Sequence, residues 1–253
     1  MIDLRDAFEL RSVVHLVRPT GARASDLEQL RAGIVAAPDE SLFTHGLQVQ
    51  LRAPAVDELP PDDFSGWVNG VVQDRETAER LSFAVQNRNG SPQELRTALI
   101  EILDSVGTSA RAARGCPPGG EFVFLAAESV PLSTGIRVQD AGELIDALVS
   151  ADASVCFFHL TEEPWGSEGG RFPLAEWIAA RGEARLADWL GEARVMGLPI
   201  ESMRRKIMQR WRRSHLGRRV SDAASAPDVA RREAGRVAVA RLVRRIARVE
   251  ERS

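Results

Sequence analysis

The sequence predicts a mainly α fold, α+β with short strands, built as two similar helical lobes from an internal repeat and followed by a C-terminal Arg-rich helix. Three observations carry that expectation. Residues 8–45 match residues 122–159 at a constant offset of 114, with 10 identities in 38 ungapped positions, where average composition gives roughly 2 or 3. Both matched stretches pass from an alternating apolar pattern, through a Thr-Gly pair, to a capped stripe of helical period. Residues 204–253 hold 16 Lys/Arg against 5 Asp/Glu, a net of +11, which leaves 17 against 31, or -14, for residues 1–203. A period of this length is too long for a solenoid unit and suits a duplicated domain.

The expected boundaries are a first lobe over 1–107, a linker over 108–120, a second lobe over 121–214 and a basic segment over 215–253 whose helix starts near 227. At 253 residues, 44% hydrophobic and 27% charged, the chain can bury a real core. The first residues lack the unbroken apolar core of a secretory signal, and no run of 18 apolar residues occurs, so a cytoplasmic location and no membrane partner are expected. Cys116 and Cys156 have no C-x-x-C spacing and are expected as reduced thiols.

Taken in order, Phe8, Leu10, Ser12, Val14 and Leu16 alternate with Glu9, Arg11, Val13 and His15 as a short half-buried strand, and Phe122, Phe124 and Ala126 open the second copy likewise. Thr20-Gly21 and Thr134-Gly135 then read as turns in which glycine takes positive φ. Asp26 with Gln29, and Asp140 with Glu143, place an N-cap acceptor and a reciprocal side chain three residues on, which explains the repeated aspartate as a cap rather than a catalytic carboxylate. Leu27, Leu30 and Ile34, matched by Ala141, Leu144 and Leu148, form the buried stripe that follows. Residues 40–51 suit a second helix, 76–85 and 183–195 short amphipathic ones. Ser91-Pro92-Gln93-Glu94 is a capping box that introduces Leu95, Leu99 and Ile102. Trp67 and Trp177 correspond at an offset of 110, so the second copy has the shorter preceding loop.

These residues, a leading F-x-[LF], a T-G pair, a capped helix, an aromatic-x-His, then [FL]-x-x-Trp and a P-x-E helix, resemble an uncharacterised bacterial domain-of-unknown-function family of about the same length. The resemblance covers residues 6 to about 213. It implies a largely helical duplicated fold and brings no activity, cofactor or catalytic residue.

Chemistry is sparse. The chain has no phosphate-binding P-loop, no dinucleotide glycine pattern, no H-E-x-x-H, no nucleophile elbow and no EF-hand loop, so catalytic residues stay unknown and no cofactor is expected. His45 and His159, at equivalent places, are the repeated residues that caps and packing leave unexplained. A half-buried imidazole bonded to backbone is the structural reading; the functional one puts both rings in a cleft between the lobes, walled by Trp67 and Trp177, where they bind a polar or anionic ligand. Asp62-Asp63 and Glu162-Glu163 are acid pairs near these histidines and read as solvated. Two histidines without a third ligand make a poor zinc site, so no metal is expected.

Three functions follow: a non-catalytic soluble binding or scaffold protein, a small enzyme using His45 and His159 with nearby acids, and a nucleic-acid-associated protein acting through its basic end. For the last, Arg204, Arg205, Arg210, Trp211, Arg212 and Arg213 are the partner-binding candidates. A protein partner or the chain's own acidic body is the favoured surface for the C-terminal helix, because a body of net -14 repels a phosphate backbone.

Overall fold

In the computed structural model, residues 7–52, 62–86, 91–165, 172–195 and 200–225 are described. A long two-stranded antiparallel ribbon runs through a set of helices. Strand β1 spans Phe8–Ala24 and β2 spans Phe122–Val138. Between them lie α1 (Leu27–Ala36), α2 (Asp39–Gly46), α3 (Val49–Arg52), α4 (Asp63–Trp67) continued by a π-helical turn (Val68–Val72), α5 (Arg75–Gln86), α6 (Pro92–Asp104) and α7 (Thr108–Ala113). After β2 come α8 (Ala141–Ser150), α9 (Ala153–Phe157) with a second π-helical turn (Phe158–Glu162), α10 (Glu163–Trp165), α11 (Pro173–Ala180), α12 (Ala184–Val195) and α13 (Ile200–Ser225). Residues 1–207 make one compact unit and 208–253 a second.

The strands are twice as long as the alternation suggests, because Thr20-Gly21 and Thr134-Gly135 are not chain-reversing turns. Each sits inside its strand at a bulge, where the register slips between Pro19 and Arg23 and between Glu9 and Arg11. Gly21 and Gly135 do take positive φ, 87° and 72°. The threonines stitch the bulges shut: Thr20 Oγ1 donates to the Phe124 carbonyl at 2.9 Å and Thr134 Oγ1 to the Leu10 carbonyl at 2.6 Å. A pattern reading sees the positive φ that glycine permits, but not the partner strand that makes it a bulge.

The ladder is centred on His15 opposite Ser129, residues separated by 114, and Arg11 opposite Ser133 is mirrored by Pro19 opposite Leu125. Pro19 and Pro131 stand four and two residues from this centre, at odd positions. The amide of Arg11 points outward, to a side chain described below, so alternation places every odd amide from 11 to 19, and its counterpart on β2, on the outer edges. Both prolines therefore occupy places where no ladder bond is lost.

The capped helices form as the residues dictate. Asp26 Oδ1 accepts from the Gln29 amide at 2.8 Å while Gln29 Oε1 accepts from the Ser25 amide; Asp140 and Glu143 do the same with the Gln139 amide. Ser91 caps α6 through the Glu94 amide. The expected helix over 40–51 is two pieces, α2 and α3. The stretch expected as linker carries α7, whose Arg111 is buried and bonds Glu28, Thr108 and the Leu103 carbonyl, tying the segment to α1 and α6.

Each strand lends its first aromatics to the helices of the other half. Phe122 and Phe124 of β2 lie in the core of Leu27, Leu30, Ile34, Phe64, Trp67, Leu81 and Leu99, while Phe8 of β1 packs on His159 and Trp177. Gly33 makes room for this, since a Cβ there would clash with the edge of the Phe124 ring. The helix expected from about 227 lies outside the described residues; the basic end is described as α13, which runs on through residue 225.

Candidate functional site

His45 lies on α2 and is 3% exposed; His159 lies on the second π-helical turn and is 1% exposed. Their bonding is the same. His45 Nε2 accepts from the Leu125 amide at 2.8 Å and its Nδ1 meets Asp63 Oδ2 at 2.8 Å. His159 Nε2 accepts from the Arg11 amide at 2.9 Å and its Nδ1 meets Glu163 Oε2 at 3.0 Å. A backbone N–H can only donate, so each Nε2 presents its lone pair, the ring proton sits on Nδ1, and Nδ1–H donates to the carboxylate.

This is a carboxylate–imidazole pair whose working nitrogen is already occupied. In a hydrolase triad the equivalent nitrogen faces a nucleophile. Here it satisfies an outward-pointing strand amide that would otherwise be buried without a partner, which costs about 1–3 kcal/mol. Each histidine pins one strand edge to the helices of the other half.

The two imidazoles are not brought together. Their anchor amides, Leu125 opposite Pro19 and Arg11 opposite Ser133, lie eight ladder positions apart, about 26 Å at the usual strand rise. The tryptophans divide in the same way. Trp67 packs edge-on against Phe122, which contacts His45, and donates its Nε1–H to the Gly120 carbonyl at 2.6 Å. Trp177 packs on Phe8, which contacts His159, and carries the Arg181 guanidinium 3.6 Å above its ring.

The acid pairs are not solvated as expected. Asp63 and Glu163 hold the histidines, and Asp62 is buried as the N-cap of α4, accepting from the Ser65 amide at 2.8 Å and from the Ser65 hydroxyl. Burial pushes the Asp62 carboxyl up to about 6, against the pull of the Ser65 bonds. Glu162 bonds a third histidine, His15, at 2.9 Å, and the His15 ring lies among Phe43 and Phe157. No local pattern marks that pair, because 147 residues separate its members; the sequence signal is a histidine inside an apolar strand.

The basic candidates separate by environment. Arg204 is committed inside the first unit, donating to the Ala151 carbonyl at 2.5 Å and to Cys156 Sγ at 3.2 Å, so it ties the start of α13 to the end of α8. Burial pushes the Cys156 thiol up, with Arg204 opposing, and both cysteines are free thiols. Arg205 donates to Ser202. In the second unit Arg210, Arg212 and Arg213 are exposed along α13 and Trp211 is half-buried. Among the described residues no cluster of three or more His, Cys, Asp or Glu could hold a metal ion, and no helix is long and apolar enough to cross a membrane.

Fold and site together define a helical protein built around a long antiparallel ribbon whose two edges are pinned by carboxylate-backed histidines. The chain belongs to a family of unknown function (DUF5752), whose model matches residues 5–212. It is similar to OrfY from Thermoproteus tenax, with a TM-score of 0.69 at 20% identity, over 81% of this chain and 94% of that one. At that identity the likeness speaks for the fold alone. No curated protein matches the chain.

Proposed function

We propose that the chain is an internally duplicated, non-catalytic binding or scaffold protein in which the repeated histidines are structural pins. The observation that carries this reading is the saturation of both imidazoles: each Nδ1 serves a carboxylate and each Nε2 a strand amide. A general base or metal ligand needs a free imidazole lone pair, and here Nδ1–H serves a carboxylate while the Nε2 lone pair is taken by a strand amide. The duplication is supported by bonds that recur 114 residues on, the caps at Asp26 and Asp140, the bulge threonines and the two pins among them. Recurrence of caps, bulges and pins, rather than of an open reactive group, is what a duplicated framework retains.

His45→Gln and His159→Gln test the reading. Pins predict lower thermal stability from each change, with no difference in the small molecules retained in native mass spectrometry. Near-native stability with loss of a copurifying ligand would favour the enzyme reading. Nucleic-acid association is a second reading, favoured by the exposed Arg210, Arg212 and Arg213 beside Trp211. Truncation after Ser214 with unchanged stability and lost, salt-sensitive RNA or DNA binding would support it.

A further inference from the structure

We propose that the central face of the β1–β2 ribbon is a self-association surface on which a second copy of this chain docks face to face. Val14 pairs with Val130, Ser12 with Leu132 and Leu16 with Glu128, so alternation puts Val14, Leu16, Val130 and Leu132 on one face. They are 47%, 57%, 36% and 46% exposed. The opposite face is covered at its centre, where Val13 is buried and His15 packs on Phe43 and Phe157, and Val17 stands exposed beyond them in β1. Among the described residues, most large exposed hydrophobics lie in these two strands, and four of them share this face.

The ribbon's edges are poorly suited to the usual alternative, addition of a strand from another protein, because their free stretches are short. Pro19 and Pro131 supply no amide at outward positions, and His159 and His45 already hold the amides of Arg11 and Leu125. The face suits a partner better. Charge selects the occupant. Arg18 and Glu128 lie on this same face, diagonal to each other across the ladder, both exposed and neither ion-paired within the described chain. A two-fold axis along the ribbon lays β1 of one copy over β2 of the other, so that Arg18 of each meets Glu128 of its mate while the four aliphatic side chains close between them. The surface is thus complementary to itself, as an isologous interface requires.

Two strands supply less apolar area than the roughly 800 Å² per partner of a tight complex, so the affinity expected is micromolar. The proposal is independent of whether the chain also binds a ligand. Its test is sedimentation velocity on the full chain from about 1 to 200 µM, a range that brackets micromolar association, with circular dichroism to verify the fold of each variant. The expected result is a concentration-dependent dimer that Val14→Glu abolishes. Arg18→Glu and Glu128→Arg should each weaken it about tenfold, and the double exchange should restore it. A wild-type chain that stays monomeric across the range, a dimer unaffected by Val14→Glu, or a double exchange without recovery would each overturn the proposal, as would capture of a different protein by this face of a monomer.

Discussion

Replacing Asp62 by Asn should change how stability depends on pH, with a sign opposite to that of most carboxylates. The Asp62 carboxyl is 1% exposed and titrates near 6, against 3.8 in an unfolded chain. The folded protein therefore holds this proton more tightly than the unfolded one. Its contribution is full below about pH 4 and is lost as pH rises through 6. The difference of roughly two units corresponds to about 3 kcal/mol between pH 4 and pH 7. Asn keeps the Oδ1 that accepts from the Ser65 amide, and the Ser65 hydroxyl can turn to accept from the new NH₂. Urea denaturation at half-unit steps from pH 4 to 7.5 should show Asp62→Asn gaining on the wild type by about that amount as pH rises, since the variant has no proton to lose there. Parallel profiles, or a wild type that gains on the variant, would refute a buried, proton-retaining Asp62.

His45→Phe and His159→Phe keep the ring packing but strip two bonds each, so each should cost about 2–4 kcal/mol in chemical denaturation. Because the pins lie far apart, the double variant should equal the sum within about 0.5 kcal/mol, and a larger coupling would contradict separate sites. Gly33→Ala drives a methyl into the fully buried Phe124 ring and should lower stability by about 1–3 kcal/mol, measured as a fall in the denaturation midpoint.

What could be read in the chain was local. Asp26, Asp140 and Ser91 cap as their spacing dictates, and the stripes of Leu27, Leu30 and Ile34 and of Leu144 and Leu148 are buried, because a cap and a helical period are complete within a dozen residues. The aromatic-x-His positions were legible as special but not their work, since the partners of His45 lie 18 and 80 residues away. The bulges are hidden for the same reason: Thr20-Gly21 has the chemistry of a turn, and it is β2, a hundred residues on, that keeps it extended. Asp62 and Asp63 look alike in sequence, yet one is a buried cap and the other a histidine partner.

The exchange of strands also dictates an order of events during synthesis. The helices that follow β1 can form their caps as soon as they leave the ribosome, but their core stays open on the side that Phe122 and Phe124 will fill, so half the protein waits, unfinished, for residues not yet made. Phe8, the first of the strand residues to appear, waits longer, until His159 and Trp177 arrive to enclose it. Neither half is a self-sufficient folding unit, and the contacts that close both are among the most distant in the chain. Such a topology makes folding slow, and it places the burden of keeping the nascent chain from associating with its neighbours on the interval before β2 emerges.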